Sequence, residues 1–172
     1  MFSVPFVLMG VCYGALPSEL PVLGIPMGHA MTSAAKSVFT VFRVPLMNLT
    51  HGLMAAVMLS RARDFENAER RASYASLFAT LLFTIAVKSD IEAVDISLLA
   101  APGALGSYER WLAPATLLAV LAGLSLAAMR GRRAPIPWPE LRLRIRDKVA
   151  LAGLFALYLG LVIASFRVSH PA

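Results

Sequence analysis

The hydrophobic residues of this chain fall into long unbroken blocks, and the polar residues gather between the blocks instead of lining one face of each. A helix rising about 1.5 Å per residue needs roughly 17–25 apolar residues to cross a hydrocarbon layer about 30 Å thick. Five blocks approach that length: residues 1–16, 37–60, 72–87, 113–129 and 149–166. The first is uncharged but short, the second is long and contains Arg43, and the other three carry no charge. Flanking Arg and Lys side chains extend the shorter blocks by snorkelling. The pattern predicts an all-α fold, a polytopic transmembrane helix bundle of about five spans forming a single integral membrane domain over residues 1–172. No polar stretch is long enough to bury a second core.

A signal peptide is the other reading of residues 1–16. The block lacks a basic leading region and a small-x-small cleavage site before Pro17, so it is read as a helix. A lipoprotein signal fails too, because bulky Val11 precedes Cys12, and Cys12 reads as a small buried apolar residue.

Charge sets the orientation. Segment 61–71 carries Arg61, Arg63, Arg70 and Arg71, and segment 130–148 carries Arg130, Arg132, Arg133, Arg142, Arg144, Arg146 and Lys148. Alternating helices put both segments on one side, which the positive-inside rule makes cytoplasmic, with the N-terminus in and the C-terminus out. The outer side holds Lys36, Lys88, Arg110 and Arg167, together with Asp90, Glu92, Asp95 and Glu109 between the third and fourth blocks. There Ile91, Val94, Leu98 and Leu99 recur at helical spacing, predicting a short interfacial helix broken by Pro102 and Gly103. Tyr108, Trp111 and Trp138 fall at block edges, where aromatic rings anchor a protein in the headgroup layer.

Composition agrees. Apolar residues make up 58% of the chain and charged residues 15%, against about 25% charged in a soluble domain. One Cys excludes an intramolecular disulfide, and no paired Cys/His spacing suggests a zinc module. Arginine supplies 13 of the 16 basic residues, the bias of a GC-rich bacterial genome, so the expected location is a bacterial cytoplasmic (inner) membrane, multi-pass. A pI near 10.1 would suggest nucleic acid in a soluble protein. Here the basic residues border membrane blocks, and no nucleic-acid partner is expected.

Helices in lipid associate through small residues and hydrogen bonds. Ala152, Ala156, Gly160 and Ala164 repeat every four residues in the last block and predict a shallow groove for a neighbouring backbone. Ser76, Thr80 and Thr84 repeat likewise in the third, with hydroxyls able to bond to the preceding turn.

Candidate chemistry concentrates in the second block and the segment before it. Arg43, Met47, Thr50, His51, Met54 and Met58 share one helical stripe about 100° wide. Polar groups at that depth are costly and therefore functional-site candidates. Arg43 has two readings, a snorkelling or structurally paired cation with Glu19, Asp90, Glu92 and Asp95 as possible partners, or a binding residue. His51 is either a neutral imidazole bonded to another helix through a hydroxyl or carbonyl, or a ligand-binding group. Outside the block, Met27, His29 and Met31 alternate in a pattern that suits Cu(I), so copper is the one cofactor the residues suggest. A haem would need a second axial His at the depth of His51, and none is present. Paired carboxylates within a block, a nucleophile elbow, a P-loop and His-Glu-x-x-His are all missing, so the chain reads as no enzyme. In segment 130–148, Pro135, Pro137 and Pro139 precede Arg142, Arg144 and Arg146, an extended basic stretch suited to anionic lipid.

The run Leu20-Pro21, Ile25-Pro26, His29, Lys36 and Pro45 resembles the N-terminal module of the DUF1648 membrane proteins, which include the SdpI-type toxin-immunity proteins. That resemblance covers about a quarter of the chain. His29 stands one residue later than in the family pattern, and the Gly-x-Pro that usually follows is replaced. The resemblance implies an outward-facing loop and a role in immunity against, or sensing of, a membrane-active toxin. Three functions follow. The first is a non-enzymatic receptor, immunity or helper protein whose external loop 17–36 binds a partner, with His29, Lys36, Arg43 and His51 as binding residues. The second is a structural subunit of a larger membrane complex. The third is a copper or small-solute handling protein that uses Met27, His29 and Met31.

Overall fold

The computed structural model describes residues 2–22, 32–98, 100, 118, 121–123, 125, 126, 129 and 143–169. Four helices and one small sheet order these residues: α1 (Val4–Cys12), β1 (Glu19–Val22), β2 (Thr32–Ala35), α2 (Val38–Ser60), α3 (Ala68–Leu98) and α4 (Ile145–Ser169). One-turn 3-10 helices follow α1 at Tyr13–Ala15 and α2 at Arg61–Asp64. The described residues 118, 121–123, 125, 126 and 129, within the fourth apolar block, are also helical.

α2 starts where the chain offers a cap. Ser37 Oγ accepts the Thr40 amide at 3.0 Å, and Thr40 Oγ1 donates back to the Ala35 carbonyl at 3.1 Å. Pro45 sits inside α2 and has no N–H to give, so the helix loses one rung there yet continues. The turn from α2 into α3 is closed by Asn67, whose Oδ1 accepts the amides of Glu69 and Arg70 at 2.9 and 3.1 Å. Arg71 reaches back over this turn and donates to the Phe65 carbonyl from Nε and Nη2 at 3.0 and 2.8 Å.

α2 runs antiparallel to the helices packed beside it. Arg61 at the end of α2 meets Asp147 at the start of α4 at 3.3 Å, while His51 packs on Tyr158 with ring centroids 4.4 Å apart. Ten residues back along α2 and eleven forward along α4 are both about 15–17 Å of helix. The two helices are therefore antiparallel neighbours along their length. α3 returns beside α2 in the same way, and α1 lies against α3 and α2. Two apolar clusters close the ends: Met9, Leu16, Leu20, Val41 and Ala93 beneath the hairpin, and Ala62, Phe65, Tyr74 and Phe78 at the arginine-bearing end.

Several expectations change. Segment 17–36, expected to be an external loop, holds an antiparallel pair in the register Glu19↔Ala35 to Val22↔Thr32. A two-stranded sheet has a free edge on each strand, which is why Pro21 is tolerated. The third block and the interfacial helix expected after it are one continuous helix, because no Gly or Pro interrupts the chain before Pro102. Asp90 and Glu92 consequently ride on α3 and not in a loop. α1 and its 3-10 turn cover Val4–Ala15, about 18 Å of chain and short of a bilayer crossing. Among the described residues, two helical stretches, Val38–Asp64 and Ile145–Ser165, are long and apolar enough to cross a membrane.

The expected packing grooves divide. Thr80 Oγ1 bonds to the Ser76 carbonyl at 2.7 Å and Thr84 Oγ1 to the Thr80 carbonyl at 2.8 Å, as the spacing suggested. Gly123 lies so close to Thr84 that a side chain there would collide with it. In α4, however, Ala152, Ala156 and Gly160 are exposed, and no described neighbour comes near Gly160. α4 turns its Tyr158 side to α2 instead, in contact with the His51 ring.

Candidate functional site

Lys36 is the first expected binding residue with a defined place. Its Nζ donates to the Leu16 carbonyl at 2.7 Å and to the Tyr13 carbonyl at 3.5 Å, and it sits 5.6 Å from the centre of the Tyr13 ring. The last carbonyls after a helix lack intrahelical partners, and a cation satisfies them. The Lys36 amide also donates to the Ser18 carbonyl at 2.7 Å. Lys36 therefore latches the base of the hairpin to the end of α1.

Arg43 is buried on α2, and among the described residues it makes no ion pair. Of the acids considered for it, Glu92 is engaged elsewhere and Asp90 keeps a buried Oδ1 without a hydrogen bond. His51 lies near the middle of α2, half-buried, against the Tyr158 ring tilted by 52°. Among the described residues no hydrogen bond holds its imidazole, and its ring contact is with Tyr158. Met27, His29 and Met31 lie outside the described residues.

A polar triad that no motif announced joins α2 to α3. Asn48 Nδ2 donates to Glu92 Oε2 at 2.6 Å, Lys88 Nζ donates to Asn48 Oδ1 at 3.2 Å, and Lys88 pairs with Glu92 Oε1 at 2.5 Å. One amide thus gives to the carboxylate and accepts from the ammonium. The triad is neutral overall and offers each member a partner, which offsets the cost of removing two charges from water. Its sequence signal was the four-residue spacing of Lys88 and Glu92 on an uninterrupted helix.

A second polar cluster lies at the other end. Buried Arg61 holds Asp64 at 3.2 Å and Asp147 at 3.3 Å, Arg144 lies 3.6 Å from Asp64, and Arg146 lies 3.7 Å from Asp147. Asp147 Oδ2 also accepts the Arg144 amide at 3.2 Å, capping α4. The parts of the two arginine-rich segments that are described, 61–71 and 143–148, begin at the same end of the bundle.

Among the described residues no group of three or more His, Cys, Asp or Glu side chains could hold a metal ion. Comparison with known proteins finds no matching family model, no matching curated protein and no matching solved structure.

Proposed function

We propose that the chain is a small non-enzymatic membrane protein that binds a partner through segment 17–36, in the manner of a receptor, immunity or helper protein. In this reading the bundle crosses a bacterial cytoplasmic membrane several times, the arginine-bearing end faces the cytoplasm, and the hairpin faces out. The observation that supports it is the Lys36 latch, with Nζ on the Leu16 carbonyl at 2.7 Å. A strand pair tied at its base fixes the described part of the segment, residues 18–22 and 32–36, which lowers the ordering cost of binding a partner there.

The test places a photo-crosslinking side chain at Ser18 or Glu19, both exposed, in native membranes. A defined adduct lost on Lys36→Met supports the reading, and an adduct that appears only when a membrane-active toxin is added makes the partner that toxin. No adduct from either position in any membrane would sink it.

A second reading, a subunit of a larger complex, is supported by α4, whose most apolar window holds no fully buried residue. Crosslinks from Ala152 or Gly160 at fixed stoichiometry, with none from the hairpin, would favour that reading. Copper handling through Met27, His29 and Met31 is tested separately. Stoichiometric Cu(I) that is lost on His29→Ala supports it, and none bound under reducing conditions removes it.

A further inference from the structure

The end of α2 and the start of α4 enclose an open cleft of about 670 Å³ lined by Arg61, Arg63, Asp64, Arg144, Arg146 and Asp147. Four guanidinium groups face two carboxylates there. The carboxylates are already engaged, because buried Arg61 approaches both, at 3.2 and 3.3 Å. Arg144 and Arg146 stand 3.6 and 3.7 Å from the nearest carboxylate oxygens, beyond hydrogen-bond length, and their side chains are 59% and 69% exposed. Arg63 is exposed and forms no ion pair with a described residue. Three guanidinium forks are thus left with donors to spare around a framework that Arg61 fixes.

We infer that this cleft binds the phosphodiester of an anionic phospholipid headgroup, with Arg63, Arg144 and Arg146 as its ligands. Guanidinium suits the task because its planar fork meets two phosphate oxygens at once. The surroundings favour a lipid over a soluble phosphate. Val57 and Leu59 line the cleft beside the charges, and Ile145 and Val149 are exposed next to it on α4. A headgroup with its chains attached would cover these apolar side chains, whereas a free ion leaves them bare. The inference rests on the membrane placement proposed above and narrows the basic stretch 130–148 to its last residues together with Arg63.

The test reconstitutes the full chain into phosphatidylcholine vesicles, alone and with added cardiolipin or phosphatidylglycerol, and measures bound lipid by native mass spectrometry. Flotation and alkaline extraction of the pure phosphatidylcholine sample come first. A chain that does not stay in those vesicles overturns the membrane reading, and this inference with it. Retention followed by equal binding of neutral and anionic lipid overturns the inference alone. The expected result is selective retention of anionic lipid. Arg63→Gln with Arg146→Gln should weaken it about thirtyfold, two charges at about 1 kcal/mol each. Both side chains are exposed and outside the Arg61 contacts, so the fold is spared. Arg70→Gln with Lys148→Gln removes the same charge from the same end but outside the cleft, and should change binding by less than about twofold. Equal loss in the two double variants would mean diffuse surface charge. Displacement of the lipid by inorganic phosphate at similar concentration would mean a soluble-anion site. Either result overturns the assignment.

Discussion

Arg61, the first residue beyond α2, holds Asp147 in the first turn of α4 with Nη1 and Oδ2 3.3 Å apart, and both side chains are buried. This pair fixes which ends of two distant helices meet. Removing one partner leaves a buried charge without compensation, which typically costs about 3–5 kcal/mol, while removing both is far milder. Arg61→Met should therefore lower the unfolding midpoint in detergent by roughly 6–20 °C, at about 2–4 °C per kcal/mol for a chain of this length. Arg61→Met with Asp147→Leu should recover at least half of that loss. Strictly additive losses in the double variant would show that the two side chains are not coupled.

The Asn48, Lys88 and Glu92 triad makes a different prediction, because its two charged members are only partly buried and all three satisfy one another. Glu92→Gln keeps a hydrogen-bonding oxygen for Asn48 but leaves the Lys88 ammonium without its counter-ion. Asn48→Leu removes the bridge and spares the ion pair. Glu92→Gln should cost about 1–3 kcal/mol and Asn48→Leu about 1 kcal/mol, read as thermal midpoints. A larger loss for Asn48→Leu would assign the stability to α2–α3 packing around the amide and not to charge compensation.

Tyr74 lies between the rings of Phe65 and Phe78, with centroids 4.9 and 4.7 Å away, and its hydroxyl is buried without a hydrogen bond. The ring stabilises the turn between α2 and α3, and the hydroxyl opposes it. Tyr74→Phe should leave stability unchanged or raise it by up to about 1 kcal/mol, whereas Tyr74→Ala should cost about 3–5 kcal/mol. A clear loss in Tyr74→Phe would reveal a partner for the hydroxyl.

The long apolar blocks made the helices readable. Block 37–60 became Val38–Ser60, and block 149–166 lies inside Ile145–Ser169. Hydrophobic runs of that length leave a backbone few options besides a helix. The hairpin was not readable, since two strands of four residues containing Pro21, Ala34 and Ala35 have neither β-rich composition nor enough length to show alternation. The full length of α3 is not legible in the hydrophobic pattern, because Lys88 and Asp90 end the apolar block, whereas the hydrogen-bonded helix continues through polar residues until a breaker arrives. The site residues were half readable. Asn48 and His51 stand out as polar groups in an apolar run, but their partners come from α3 and α4, and pairing across helices follows rotation and register that one sequence does not encode locally. Eleven basic residues in two segments predict a charged side, and nothing in their spacing marks Arg61 for burial.

Lys36 is expected to act through the hairpin and not through the helices. Lys36→Met removes the donor that satisfies the Leu16 and Tyr13 carbonyls, while the cluster of Met9, Leu16, Leu20 and Val41 beneath them stays intact. Limited proteolysis should cut segment 17–36 several times faster in Lys36→Met, with an unfolding midpoint within about 3 °C of the parent, a change worth roughly 1 kcal/mol. Lys36→Arg should restore most of the protection, because guanidinium also donates to carbonyls. Equal cutting rates would mean that strand pairing alone holds the base of the hairpin.

Cys12 is the only cysteine, so Cys12→Ser gives a background in which one introduced thiol reports which side of the membrane it faces. Ser18 and Arg63 are both exposed and lie at opposite ends of the bundle, one beside the hairpin and the other in the arginine-bearing cleft. In intact cells a membrane-impermeant maleimide should label Ser18→Cys and spare Arg63→Cys, and permeabilisation should make the two equal. The direction follows from the positive-inside rule applied to the eleven basic residues in segments 61–71 and 130–148. The reverse pattern would put the arginines outside and remove the ground for an outward partner of segment 17–36. Labelling of both positions in intact cells would mean that α2 does not separate the two ends across a bilayer, even though Val38–Asp64 is long enough to do so.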